Sequence, residues 1–333
     1  MGEQLVDELD LAIVHALEVN PRAPWSLVGS VLDTSPVTVA RRWSSLVQRR
    51  LAWATAIPGP ASGAWRVMAI VGVVCEAGHV ESVAAALCED REAVTIEMPA
   101  SSWSLQVAVG VKDLPALADY LVGRVEKLPH VTRVETAIVS GMFTHGGEWR
   151  VGALGRTEES QLRASGARRN ARSGDVAEAD LELLRVLSID ARVSFEGLAR
   201  RLGRPASTLA RRYEQLARSE RVTLRCEVAS SVSGSPVHAC LRLAVPPAAL
   251  EKTGRAIARE PGVRLLMSVA ARENLVLWVW LSHPAELIRY EAALVAKHPH
   301  VVVADRSVML RVAKRIGHVL DAEGRSLSVV PCF

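Results

Sequence analysis

The chain is poor in the residues that build stapled or metal-bound folds. Its five cysteines, Cys75, Cys88, Cys226, Cys240 and Cys332, are scattered over 333 residues without a Cys-x-x-Cys pair. An odd, dispersed set excludes a disulfide framework and a zinc ribbon, and it fits a reducing compartment. No apolar run reaches the roughly 18 residues that a bilayer span needs. Met1 to Asp10 is acidic, where a secretory leader would be basic, so the expectation is a soluble, cytoplasmic chain with no membrane contact. Glycine-rich phosphate loops and a serine elbow are both missing. His79, His130, His298 and His300 show no His-x-x-x-His spacing and no acidic partners in sequence, so they read as capping or surface groups rather than metal ligands. On these grounds no catalytic residue, metal or cofactor is expected, and the chain is not read as an enzyme.

What is present is a repeat. Arg41-Arg42 returns as Arg211-Arg212, Asp10 as Asp180, Thr38 as Thr208 and Leu46 as Leu216, every pair at one constant offset. Leu128-Pro-His-Val131 returns in the same register as His298-Pro-His-Val301. An ungapped offset over this length means two copies of one composite unit rather than a solenoid of short repeats.

Each copy opens with helical signals. Ile13, Val14 and Leu17 fall on one helix face before the stop at Asn20-Pro21, and Leu27, Val28, Val31 and Leu32 mark a second short helix. Ser35-Pro36 is a hydroxyl cap followed by proline at the first helical position. In the helix that follows, Val39, Trp43, Leu46 and Val47 face inward, which leaves Val37, Thr38, Arg41 and Ser45 outside with Arg42 beside them. The second copy runs Asp180–Leu187, Phe195–Leu202 and Pro205–Leu216, with Ser207, Thr208 and Arg211 outward and Arg212 adjacent. Three short helices with this turn make a helix-turn-helix, whose last helix suits the DNA major groove. Arginines one turn after a short hydroxyl can reach guanine edges or phosphates. Ser35, Thr38, Arg41, Arg42, Ser207, Thr208, Arg211 and Arg212 are therefore the expected contacts to double-stranded DNA. Pro205 replaces Ser35, so the second helix loses its hydroxyl cap, while Arg200, Arg201 and Arg204 add positive charge nearby.

The remainder of each copy alternates strands and helices in the order βαββαβ. Met68–Cys75, His79–Leu87, Ala93–Met98, Leu105–Gly110, Leu114–Leu128 and Thr132–Val139 form the first set. His238–Val245, Ala249–Ala258, Val263–Ala270, Leu275–Leu281, Pro284–Ala296 and Val301–Leu310 form the second. The fold class is α+β: two tri-helical helix-turn-helix domains, each followed by a ferredoxin-like sandwich. Trp278 and Trp280 share one face of their strand, which points to core or interface.

This combination, carried by Asp10, Ile13, Leu17, Arg22, Thr38, Val39, Arg42 and Leu46 and by Asp180, Leu183, Leu187, Arg192, Leu198, Thr208, Leu209, Arg212 and Leu216, resembles the Lrp/AsnC (feast/famine) transcription regulators. Pro261-Gly262-Val263 looks like the family's entry to its second strand. The resemblance implies sequence-specific DNA binding and RAM-type sensor domains that take an effector such as an amino acid where two of them meet. The family's Gly-x-x-Asp effector turn reads here Ser101-Ser102-Trp103-Ser104 and Ala271-Arg272-Glu273-Asn274, so these eight residues are the expected ligand contacts, with another metabolite or no ligand as alternatives. Sirohaem decarboxylases, which also pair Lrp-like units, are the enzyme alternative, and a metabolite sensor with vestigial helices is the third.

The expected domains are residues 1–60, 61–145, a flexible linker 146–174, 175–230 and 231–333. A flexible linker of 29 residues spans about 30 Å, enough for the two sensor sheets to pair within one chain as a pseudo-dimer, with further homo-oligomers on the duplicated outer surfaces. Leu320–Phe333 reads as a tail that packs as a closing strand.

Overall fold

The structure, a computed structural model, describes residues 6–164 and 176–333. Its first unit is three helices, α1 (Glu8–Val19), α2 (Trp25–Val31) and α3 (Pro36–Gln48). At the start of α1 the Asp7 carboxylate accepts from the Asp10 amide at 2.9 Å and Asp10 accepts from the Asp7 amide, a reciprocal cap. Ser35 caps α3 by accepting from the Thr38 amide at 3.0 Å. Ile13, Val14, Leu17, Val28, Val39, Trp43 and Leu46 close one core. Val47, expected inside, is 42% exposed, so the apolar stripe of α3 is one residue narrower than its spacing suggested.

The chain continues through β1 (Ala52–Pro58), β2 (Val67–Cys75), α4 (Val80–Cys88), β3 (Ala93–Pro99), β4 (Leu105–Val111), α5 (Leu114–Tyr120) and β5 (Val131–Thr144). After α6 (Arg156–Ala164) the order recurs as α7 (Glu178–Ile189), α8 (Phe195–Leu202), α9 (Ala206–Arg218), β6 (Val222–Val228), β7 (Val237–Ala244), α10 (Leu250–Ile257), β8 (Val263–Ala270), β9 (Leu275–Leu281), α11 (Glu286–Lys297) and β10 (Val302–Arg315). A hairpin of β11 (His318–Leu320) and β12 (Ser326–Val329) extends β10, so the tail does add a strand.

The strands of residues 61–145 and 231–333 join in one sheet. They form one ring, β10-β3-β4-β2-β5-β8-β9-β7, which closes where β7 pairs with β10. The edges of the first half, β3 and β5, pair with β10 and β8 of the second. Closure removes the open edges that either half alone would expose. Along β4, Leu105, Val107 and Val109 pack outward with residues of α4 and α5, while Ala108 faces the interior. On β9, Leu275, Leu277 and Val279 pack with α10 and α11 residues, while Val276 and Trp278 face inward.

A second sheet joins the helical units. β1 and β6 pair antiparallel from Ala52–Val228 to Pro58–Val222. The strands are exchanged: Cys226 and Val228 of β6 enter the core of α1–α3, and Ala56 of β1 enters the core of α7–α9. Two arginines complete the exchange. Arg22 donates to the carbonyls of Ala191 and Val193 at 2.6 and 3.1 Å and lies over the Phe195 and Tyr213 rings. Arg192 donates to those of Pro21 and Ala23 at 2.6 and 3.0 Å and stacks on Trp25 at 3.6 Å. No ion pair to either is present among the described residues, and burial lowers both pKa values, that of Arg192 to about 10.

The linker differs from a solvated spacer. Its part up to residue 164 docks on α1: Val151 donates its amide to Glu18 at 3.0 Å, Leu154 donates to His15 Nδ1 at 2.9 Å, and Leu162 is fully buried. With Nδ1 accepting, His15 Nε2 carries the proton towards Glu159 at 3.1 Å. Residues 165–174 of the expected linker lie outside the described residues.

Two expectations follow from these contacts. Removing either clasp arginine leaves two carbonyls and an aromatic face without their cation, so Arg22→Ala or Arg192→Ala should each cost on the order of 3 kcal/mol in urea unfolding; unchanged midpoints would refute the clasp. Burial raises the Glu18 carboxyl from 4.5 to about 8. Its stabilising share is complete below 4.5 and is lost as pH rises through about 8. Thermal melts of Glu18→Gln should therefore lose that decline, and an unaltered slope would contradict it.

Candidate functional site

The outer faces of α3 and α9 carry the expected DNA contacts. Ser35 is exposed, and its Oγ lies 2.9 Å from Thr38 Oγ1, so the cap holds both hydroxyls at the start of α3. Arg41 is exposed, as is Val37 at 77%. In the second unit Ser207 and Arg211 are exposed and Thr208 is half-buried. Pro205 gives α9 no side-chain cap, as the substitution implied. Arg41 and Arg211 make no ion pair among the described residues.

Arg42 and Arg212 are placed differently. Arg42 Nη1 reaches Asp7 and, at 3.1 Å, Asp10, whereas Arg212 Nε donates to Asp180 at 2.9 Å. Both therefore tie the outward helix to the first helix of their unit.

The two turns differ from open ligand loops. Trp103 is buried against Gly72, where a Cβ would lie 2.1 Å from the indole, and its Nε1 donates to Glu135 at 3.1 Å. Ser104 Oγ accepts from the Cys75 amide at 2.9 Å, and Asn274 bonds both backbone groups of Val245 at 3.0 and 2.8 Å. Ser101, Ser102, Ala271 and Arg272 are exposed, and Glu273 is partly so. None of the eight lines the large cavity.

That cavity, about 560 Å³, lies between the β1–β6 ribbon and the barrel interior. Arg225 of β6, Arg264 of β8 and Arg315 of β10 line it beside Trp278 and Trp280. Glu227 is 1% exposed and accepts from Arg225 and, at 2.7 Å, from Arg264. Burial alone would raise its carboxyl, but the Arg225, Arg264 and Arg315 charges outweigh that and hold it low. Burial lowers Arg225 and Arg315 to about 10 and His318 to about 4, and burial, with the Arg315 and Arg264 charges, holds His238 well below the usual imidazole range. Burial raises Glu97 despite donation from Trp278 and Gln106. Gly146 lets the loop after β5 close over Arg225, since a Cβ there would sit 2.6 Å from Nη2. Sequence reasoning missed this set; the available signal was charge inside otherwise apolar strands, as in Val222-Thr-Leu-Arg-Cys-Glu-Val228.

Glu76, His79 and His130, distant in sequence, bring their ligand atoms within 4.8 Å of one another near the surface. His130 Nδ1 lies 2.8 Å from Glu76 and its ring stacks on His79 at 3.5 Å.

The three helices, with their outward basic face, define a helix-turn-helix class of protein. Residues 6–47 match the AsnC-type helix-turn-helix domain, so the chain carries that domain at its N-terminal end. An uncharacterised HTH-type transcriptional regulator of Pyrococcus furiosus is 25% identical over 146 residues, 43% of this chain and 97% of the relative. One of Pyrococcus horikoshii is 24% identical over 145 residues, 42% of this chain and 90% of the relative. The crystal structure of the siroheme decarboxylase NirDL with an iron-uroporphyrin III analogue shares the fold at a TM-score of 0.60, with 13% identity over 93% of each chain. No described helix is long and apolar enough to cross a membrane.

Proposed function

We propose that the chain is a cytoplasmic, sequence-specific transcriptional regulator made of two AsnC-like units in one polypeptide, a built-in pseudo-dimer. The observation that carries this reading is the pairing of the AsnC-type domain, through ribbon and clasp, with a second three-helix unit that repeats its outward arginine in the same register, Arg41 and Arg211. Both Pyrococcus regulators are about one unit long, which supports the doubling. So does the strand order, β5-β2-β4-β3 in one half and β10-β7-β9-β8 in the other, each that of a ferredoxin-like βαββαβ sandwich.

In this reading Thr38, Arg41, Thr208 and Arg211 meet the major groove, Ser35 and Ser207 lie at its edge, and Arg42 and Arg212 position the helices. The two faces differ, Pro36-Val37 against Ala206-Ser207, so the preferred operator is an imperfect inverted repeat with half-sites about 10 base pairs apart. Control by a small molecule acts through the barrel that carries the ribbon, and the exposed parts of the 101–104 and 271–274 turns remain available for contacts to a second chain.

Arg41→Ala with Arg211→Ala should cost about 1 to 3 kcal/mol per lost base contact and relax sequence preference in gel shifts with selected genomic fragments. Arg42→Ala should lower stability without changing preference. Wild-type affinity should fall steeply with salt as counterions are released. An unchanged double mutant would remove these helices as readers.

A second reading rests on one observation, the NirDL fold across nearly the whole chain. Under it the cavity would take a tetrapyrrole, and visible absorbance retained after incubation with sirohaem and gel filtration would favour it over the regulator.

A further inference from the structure

The cavity is lined by residues of both halves, and its charge is divided unequally between them. In the register of the repeat, Arg264 corresponds to Val94, Arg315 to His145 and Trp278 to Ala108, and both members of each pair line the cavity. Arg225 corresponds to Thr55, and Glu227 to the apolar Ile57. All three guanidinium groups thus come from one half, and the matching positions of the other carry none. A symmetric dimer could not build this difference, because each residue would appear at both ends.

The charge at that end is not balanced. Arg225 and Arg264 share a single carboxylate, Glu227, while Arg315 is 6% exposed and its Nη1 has no hydrogen-bond partner. Arg315 Nη2 lies 3.3 Å from His238 Nδ1, a hydrogen bond that supplies no counter-charge while that imidazole is neutral. Glu97, on the strand β3 that pairs with β10, is the other carboxyl near Arg315, but it accepts from Trp278 at 2.9 Å and Gln106 at 3.2 Å, and burial favours its neutral form. Glu148 at the rim is exposed and accepts from Thr144 at 2.8 Å. Trp280 offers its ring to Arg264 at 4.1 Å and to Arg315 at 4.9 Å, so an aromatic wall adjoins the cationic end. A buried guanidinium with an unused donor is costly unless an anion completes it.

We infer that this cavity is a binding site for a flat, largely apolar monoanion, its carboxylate against Arg315 and Arg264 and its body along Trp278 and the apolar strands of the first half. The volume of about 560 Å³ lies within the range of roughly 300 to 1,000 Å³ that small-molecule sites occupy. The inference does not depend on the DNA reading.

The test uses 2-naphthoate and its neutral isostere 2-naphthamide with the full chain, by calorimetry and by quenching of tryptophan fluorescence. The carboxylate should bind at least about tenfold more tightly than the amide, because charge-assisted hydrogen bonds distinguish them. Arg315→Gln should abolish that preference and leave amide binding within about twofold. Equal affinities for wild type, no binding of either probe at millimolar concentration, or a folded Arg315→Gln that keeps the preference would each overturn the site. If that variant does not fold, the wild-type preference between the two probes decides the question.

Discussion

Everything above the barrel depends on two like charges, both half-buried, held in exchange. Arg22 and Arg192 each leave their own unit and complete the other, and neither has a carboxylate among the described residues. The guanidinium fork suits this role because it can serve two carbonyls at once while its face lies on an aromatic ring. The carbonyls belong to the turns Pro21–Ala23 and Ala191–Val193, which join the first and second helices of each unit. The clasp thereby fixes one three-helix unit relative to the other before any partner binds, and such preorganisation lowers the ordering cost of a two-site contact.

The exchanged ribbon carries that fixed pair down to the barrel. On β6, Cys226 and Val228 are packed under α1–α3, while Arg225 and Glu227 turn the other way, Arg225 lining the cavity and Glu227 buried beside it, as the period of two requires. Glu227 then meets Arg264 of β8, a charged contact between ribbon and barrel at 2.7 Å. Replacing such a buried set by apolar residues would commonly stabilise a protein, so its retention is not explained by stability alone.

Local patterns were legible in the sequence, whereas of the cross-half contacts only a pairing of the two sheets was expected, without the strands that make it. Helix starts at Ser35-Pro36, the alternation along Leu275–Leu281 and the matching of Arg41-Arg42 with Arg211-Arg212 all reside in short windows, and the elements fall where those windows put them. The helical wheel puts Arg42 beside the open face that Arg41 shares with Thr38, but only the position of Asp7 and Asp10 at the start of α1 shows that it is tethered. The cavity draws on both ribbon strands and on strands from both halves of the barrel, so no spacing could announce it. Barrel closure was hidden for the same reason: a strand shows its apolar face in sequence, but not which partner covers its edge. Helix α6 escaped notice because a single residue, Leu162, provides its buried contact amid charged neighbours.

Under the proposed doubling, joining two units in one chain changes what substitution can do. In a homodimer a changed residue appears twice, so a useful change at one face must be tolerated at the other. Here α3 keeps the Ser35 cap and α1 the Asp7 box, while α9 begins at uncapped Pro205 and α7 at uncapped Ala177. The second unit instead places exposed Arg200 and Arg201 at the end of α8, where the helix dipole favours cations. The cavity follows the same division, with cations from one half and largely apolar residues from the other. In that reading, the differences at the helix faces and at the cavity are two expressions of one covalent constraint, that neither half must be its own mirror.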